Sequence, residues 1–141
     1  MDDNQINDQN TRMSDLLERL KAFRDERGWQ AQDPKDMAVS LVLEASELLE
    51  HFQWKSGDEV EQEGRLYGAI ADELADVLWW IMTLADRLHI DVSQAFVRKM
   101  KKNASKYPVE IFNPSIAQEV QDREYYKIKA ATRGGHPLAE K

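Results

Sequence analysis

From Pro34 to Trp54, and again from Glu59 to Leu88, apolar side chains recur at every third or fourth position. That period constrains the chain to helices more firmly than any other feature it carries. At about 100° per residue, Ala38, Leu41, Val42, Ala45, Leu48, Leu49 and Phe52 share one stripe. Ile70, Leu74, Val77, Leu78, Ile81, Leu84, Ala85 and Leu88 share another. Asp33-Pro34 is a start signal, since Asp caps free N–H groups and Pro fits the first helical turn. The helix it opens is expected to run through the segment DPKDMAVSLVLEASELLEHFQW and to stop near Ser56-Gly57. Gly64 and Gly68 predict a bend or break in the first half of the long segment that follows. An earlier helix is expected after Ser14, through LLERLKAFRDER to about Gly28. A later one, VSQAFVRKMKKNASK, is capped by Asp91 and ended by Pro108. Asn113-Pro114 is expected to open a fifth, through EVQDREYYKIKAA, with sparse apolar positions. No alternating stretch is long enough to build a sheet, so the expected fold class is all-α.

The two long helices share a second feature. LEASELLE carries Glu44 and Glu47 one turn apart, and DELADVLWW carries Glu73 and Asp76. Each pair lies on a flank of its own apolar stripe, at the same angular offset. A single Glu-x-x-Glu ordinarily marks a solvated face, but the repetition against the core edge favours a site. If the helices pack antiparallel, the four acids converge on one cleft. There they repel one another and raise their pKa values unless cations neutralise them. Oxygen-only donors suit hard ions, Mg²⁺ above all, with Mn²⁺ as a substitute. Trp80 lies one turn beyond Asp76 on the same flank, with Trp79 beside it, and an indole there suits the wall of a nucleotide pocket. Most tryptophans instead pack in cores or interfaces. His51 holds the corresponding position on the first helix, so the two helices look like halves of a loose repeat.

Composition removes other chemistries. The sequence has no cysteine, which excludes disulfides, thiolate metal sites and cysteine nucleophiles. A formal net charge of -7 argues against a nucleic acid polymer as partner. No apolar run approaches the ~20 residues of a membrane span, and MDDNQINDQN lacks a signal-peptide pattern, so a cytoplasmic location is the default expectation. No G-x-S-x-G and no GxxxxGK loop occurs.

Glu44-x-x-Glu47, 25 intervening residues and then Glu73-x-x-Asp76 resemble the ExxE…ExxD signature of the MazG-like all-α nucleoside triphosphate pyrophosphohydrolases. ERGW (Glu26–Trp29), FQWK (Phe52–Lys55) and KMKKNASKYP (Lys99–Pro108) are more locally similar to the dCTP pyrophosphatase branch. The resemblance covers approximately Ser14 to Pro108. It implies a four-helix bundle-type fold, assembled as a homodimer at least and a homotetramer by preference. It also implies Mg²⁺ held by Glu44, Glu47, Glu73 and Asp76. The reaction implied is hydrolysis of a nucleoside triphosphate to monophosphate and pyrophosphate, with dCTP or a modified pyrimidine deoxynucleotide favoured, as nucleotide-pool house-cleaning. Trp29 and Trp54 become base-pocket candidates, with Phe23 and Trp80 nearby and Lys55 beside Trp54. One departure stands out: where branch members often carry a histidine soon after the tryptophan matching Trp29, this chain reads QAQDP.

Lys99, Lys102, Asn103 and Lys106 share a face of the later helix at spacings of three and four. With Tyr107, the resemblance turns Lys99, Asn103 and Lys106 toward phosphate binding, while Lys102 reads as a solvated lysine. The residue that takes the proton from the attacking water stays open. Two other classes compete. A non-enzymatic helical interaction module leaves the acids merely solvated. A di-iron carboxylate bundle wants two Glu-x-x-His pairs, against which this chain offers only Asp86-x-x-His89. The expected organisation is a flexible N-terminus over 1–13, a catalytic helical domain over 14–108, and an extension over 109–141 that is partly helical and then flexible.

Overall fold

A computed structural model describes residues 6–62 and 66–133. Its helices are α1 (Met13–Asp25), α2 (Pro34–Glu50), α3 (Gly57–Gln62), α4 (Leu66–Arg87), α5 (Val92–Lys106) and α6 (Gln118–Arg133). Among the described residues there is no strand, so the all-α expectation holds. The chain divides into two compact units, Met1–Ser93 and Gln94–Lys141.

In the first unit the punctuation is local chemistry. The Asp33 carboxylate accepts the Lys35 N–H at 2.7 Å, with Pro34 at the first position of α2. Ser56, expected to mark a stop, also starts the next helix. Its N–H donates to Glu59 Oε2 at 2.7 Å while its hydroxyl accepts the Glu59 N–H at 3.3 Å, a reciprocal capping box. Between them the chain does not stay helical to Trp54. Bonds from the Phe52 N–H to the Leu49 carbonyl (2.9 Å) and from the Lys55 N–H to the Phe52 carbonyl (3.1 Å) make a tighter turn after Glu50. The helix expected over Glu59–Leu88 is two, α3 and α4. The expected break at Gly64 lies outside the described residues, and Gly68 sits inside an intact α4.

Both α1 and α4 end in the same motif. Gly28 adopts φ 67°, its N–H bonds the Asp25 carbonyl, and the Trp29 N–H reaches back to the Arg24 carbonyl. His89 adopts φ 54°, with its N–H on the Asp86 carbonyl and the Ile90 N–H on the Ala85 carbonyl. These are paired Schellman bonds around a left-handed residue.

α2 packs chiefly on α4, and α1 leans on α4 as well. The pairing is antiparallel, because Glu44 meets Trp80 whereas the later Glu47 meets the earlier Glu73. The core is sparse: Leu20, Met37, Val60, Met82 and Ala85 are the buried apolar residues described, with Arg24 and Thr83 buried beside them. The apolar stripes are therefore not simply the core. On α2 Met37 is 1% exposed while Val42 is 64% exposed. On α4 Met82 and Thr83 turn inward, and Leu74 and Ile81 turn out.

In the second unit α5 leads into turns and then α6. Asn113-Pro114 does not itself open α6. The Asn113 carboxamide oxygen accepts the Ser115 N–H at 2.9 Å, closing a turn, and the helix starts at Gln118. Tyr107 stacks on Tyr125 at 5.9 Å and meets Phe112 edge-on at 5.3 Å.

Candidate active site

The antiparallel pairing of α2 and α4 brings three of the four acids into one cluster. One carboxylate oxygen each from Glu44, Glu47 and Glu73 lie within 4.8 Å of one another. Asp76 stands outside that tight cluster but near enough to act on Glu73. The Glu73 carboxyl is held above its ordinary value, first by burial and then by the charges of Glu47, Asp76 and Glu44; His51 opposes them. Glu73 Oε2 is buried with no hydrogen-bond partner. An acidic oxygen left so is costly, and a hard divalent cation among these oxygen donors would satisfy it. The donor set thus fits such an ion.

Beside the cluster lies a cavity of about 470 Å³ lined by Phe23, Arg24, Trp29, Gln32, Glu44, Asp76, Trp79 and Trp80. Its acidic wall is Glu44 and Asp76, and its remaining walls are largely aromatic. Phe23 meets Trp29 edge-on at 6.1 Å and Trp79 at 5.2 Å, and the Arg27 guanidinium covers the Phe23 ring at 3.4 Å. Trp29 reaches the cavity because the Gly28 turn reverses the chain after α1. The buried Arg24 then pins that loop: its Nη2 donates to the Trp29 carbonyl at 2.6 Å and to Gln32 Oε1 at 3.2 Å. The Trp80 indole N–H donates to Glu44 Oε1 at 3.2 Å.

Of the residues singled out from the sequence, Phe23, Trp29, Glu44, Asp76 and Trp80 line one cavity, and Glu47 and Glu73 join Glu44 next to it. Trp54 is 87% exposed in the turn after α2 and is not among the lining residues; neither is Lys55. Lys99, Asn103, Lys106 and Tyr107 belong to the second unit, where Lys106 Nζ lies 5.3 Å from the Tyr107 ring. Sequence reasoning missed Arg24 and Gln32. The available signal was a charge at Arg24, one turn after Leu20, on the face of α1 that its apolar residues mark as inward. Gln32 falls in the QAQDP departure and carried no signal of its own.

A family model described as the MazG-like family matches residues 39–122. The chain is 40% identical over 130 residues to dCTP pyrophosphatase 1 of Mus musculus, covering 88% of this chain and 76% of that protein. The Homo sapiens protein of the same name is 38% identical over 104 residues, 70% of this chain and 61% of that protein. Among solved structures, a pyrophosphatase from Archaeoglobus fulgidus superposes with a TM-score of 0.64 at 44% identity, covering 74% of this chain and 99% of that one. The family model's match includes both acid pairs, Glu44 and Glu47 on α2 and Glu73 and Asp76 on α4. The chain therefore belongs to the MazG-like family, close to its dCTP pyrophosphatases.

Proposed function

We propose that the protein is a divalent-cation-dependent nucleoside triphosphate pyrophosphohydrolase, cleaving dCTP or a modified pyrimidine deoxynucleotide to monophosphate and pyrophosphate. One observation carries the reading: an aromatic-walled cavity opens on Glu44 and Asp76, beside Glu73, whose buried oxygen has no partner. Relatives named dCTP pyrophosphatase support the choice of substrate.

Glu44, Glu47, Glu73 and Asp76 would hold Mg²⁺. The chemistry it supplies when bound is charge screening of phosphate oxygens and a lowered pKa for an attacking water. Phe23, Trp29 and Trp80 offer flat apolar surfaces for a base, and closing such walls around it excludes bulk water. Water oxygen then bonds to the α-phosphorus and gives up its proton to the solvent, the α–β anhydride bond breaks, and pyrophosphate leaves with the electron pair. Lys99, Asn103, Lys106 and Tyr107 are assigned to the phosphates by their resemblance to the family motif, and Trp54 and Lys55 to the base end on the same ground. The protein is assigned to the cytoplasm, where the nucleotide pool lies; among the described residues no helix is long and apolar enough to cross a membrane.

A homo-oligomer, at least a dimer and by preference a tetramer, is part of this reading. Val42 and Leu49 on α2 are exposed seven residues apart, as are Leu74 and Ile81 on α4. Heptad-spaced apolar rows suit a helical seam with another copy. The test of function is product analysis over a panel of nucleoside triphosphates with Mg²⁺. Monophosphate plus pyrophosphate is expected, with pyrimidine deoxynucleotides fastest. Stepwise release of single phosphate would refute the reaction.

A further inference from the structure

Trp80 does something that its place in the cavity wall does not explain. Its indole N–H is a donor only, and it is spent on Glu44 Oε1 at 3.2 Å in a half-buried position. The end torsion of a glutamate is otherwise broad, so its two oxygens are loosely placed. A fixed donor on Oε1 sets the rotation of the carboxylate, and with it the placement of both oxygens of an acid that also joins Glu47 and Glu73 in the cluster. Trp79 makes the contrast. It lines the same cavity through its ring contact with Phe23 at 5.2 Å.

We infer that Trp80 is a positioning residue: it orients Glu44 for the cation and thereby ties the aromatic wall to the acid cluster. The inference rests on the reading that these acids hold Mg²⁺. It has a thermodynamic corollary. An occupant of the cavity that shifts the indole shifts Glu44, so occupant and cation each alter the other's affinity by the same factor.

The test titrates Mg²⁺ alone, without nucleotide, into the full-length wild type, Trp80→Phe and Trp79→Phe by calorimetry. Phe keeps a smaller aromatic wall and removes the N–H; Trp79→Phe makes the same loss of ring volume without removing the donor to Glu44. Loss of a partner that orients a ligand typically weakens metal binding about 10-fold or more, and that is the change expected for Trp80→Phe, with Trp79→Phe binding as the wild type does. A second reading needs no change at Trp80. The four indole N–H resonances of the protein are assigned by elimination from Trp29→Phe, Trp54→Phe and Trp79→Phe. The Trp80 resonance is expected to exchange slowly with solvent and to move as Mg²⁺ saturates the wild type. Wild-type affinity in Trp80→Phe, or a Trp80 resonance unmoved at saturation, overturns the inference while leaving the cation reading intact. Absence of Mg²⁺ binding by the wild type would instead overturn the cation reading itself.

Discussion

Glu73 holds its charge unwillingly, with one oxygen buried and unpartnered, and this makes it the site's most informative single residue. Its carboxyl is raised above 4.5 by burial and by its acidic neighbours, so the folded, metal-free protein binds this proton more tightly than the unfolded chain. The stabilisation from that proton is complete below 4.5 and is lost as pH rises through the folded value. Comparing melting temperatures from acid to neutral pH should show the metal-free wild type losing ground to Glu73→Gln, which has no such charge to accommodate. Added Mg²⁺ should reverse the order at neutral pH by stabilising the wild type alone. A wild type and variant with parallel pH profiles would remove burial of the Glu73 charge as a cause. Glu47 and Asp76 are more exposed than Glu73, and on the proposed reading they would serve chemistry more than stability. Glu47→Gln and Asp76→Asn should each lower turnover by about 100-fold or more, the scale seen when one charge-stabilising group is removed, with helical circular dichroism unchanged.

At the scale of elements, the left-handed residues ending α1 and α4 show how little backbone sets the site. Nothing lies within 4 Å of a side chain built on Gly28, so Gly28→Ala meets no clash and its whole cost is conformational. That cost is about 1–2 kcal/mol, readable in urea unfolding. Because Trp29 follows directly and lines the cavity, the same change should raise KM for the nucleotide more than it lowers kcat. Legibility in the sequence followed the range of the interaction. Asp33-Pro34 was readable because a cap is decided within three residues. Ser56 was readable as punctuation, but the next helix was expected from Glu59; the reciprocal bonds between Ser56 and Glu59 start it at Gly57. The acids converged because matching offsets on antiparallel helices leave few other outcomes. What the stripes did not reveal was which part of each apolar face the chain itself covers. Period assigns residues to a face; burial of Met82 and Thr83 rather than Leu74 and Ile81 depends on where α1 and α2 lie. Arg24 was illegible for the opposite reason: charge ordinarily signals solvent, and here its partners are a loop carbonyl and Gln32.

For the whole molecule, the outward rows on α2 and α4 set the next measurement. Size-exclusion chromatography with light scattering should give at least a dimer, and Leu74→Glu combined with Ile81→Glu should reduce the mass to that of a single chain. An unchanged mass would place the seam elsewhere. The sparse core has a larger consequence. Among the described residues, Leu20, Met37, Val60, Met82 and Ala85 are few buried apolar side chains with which to offset chain entropy. With Val42, Leu49, Leu74 and Ile81 facing outward, the proposed assembly would make folding and self-association one equilibrium governed by mass action. The melting temperature should then climb with protein concentration, where a self-sufficient fold would show a constant value. On that assembly dilution would act as a denaturant, and a cell that makes too little of this protein would keep it in the form that proteases clear first.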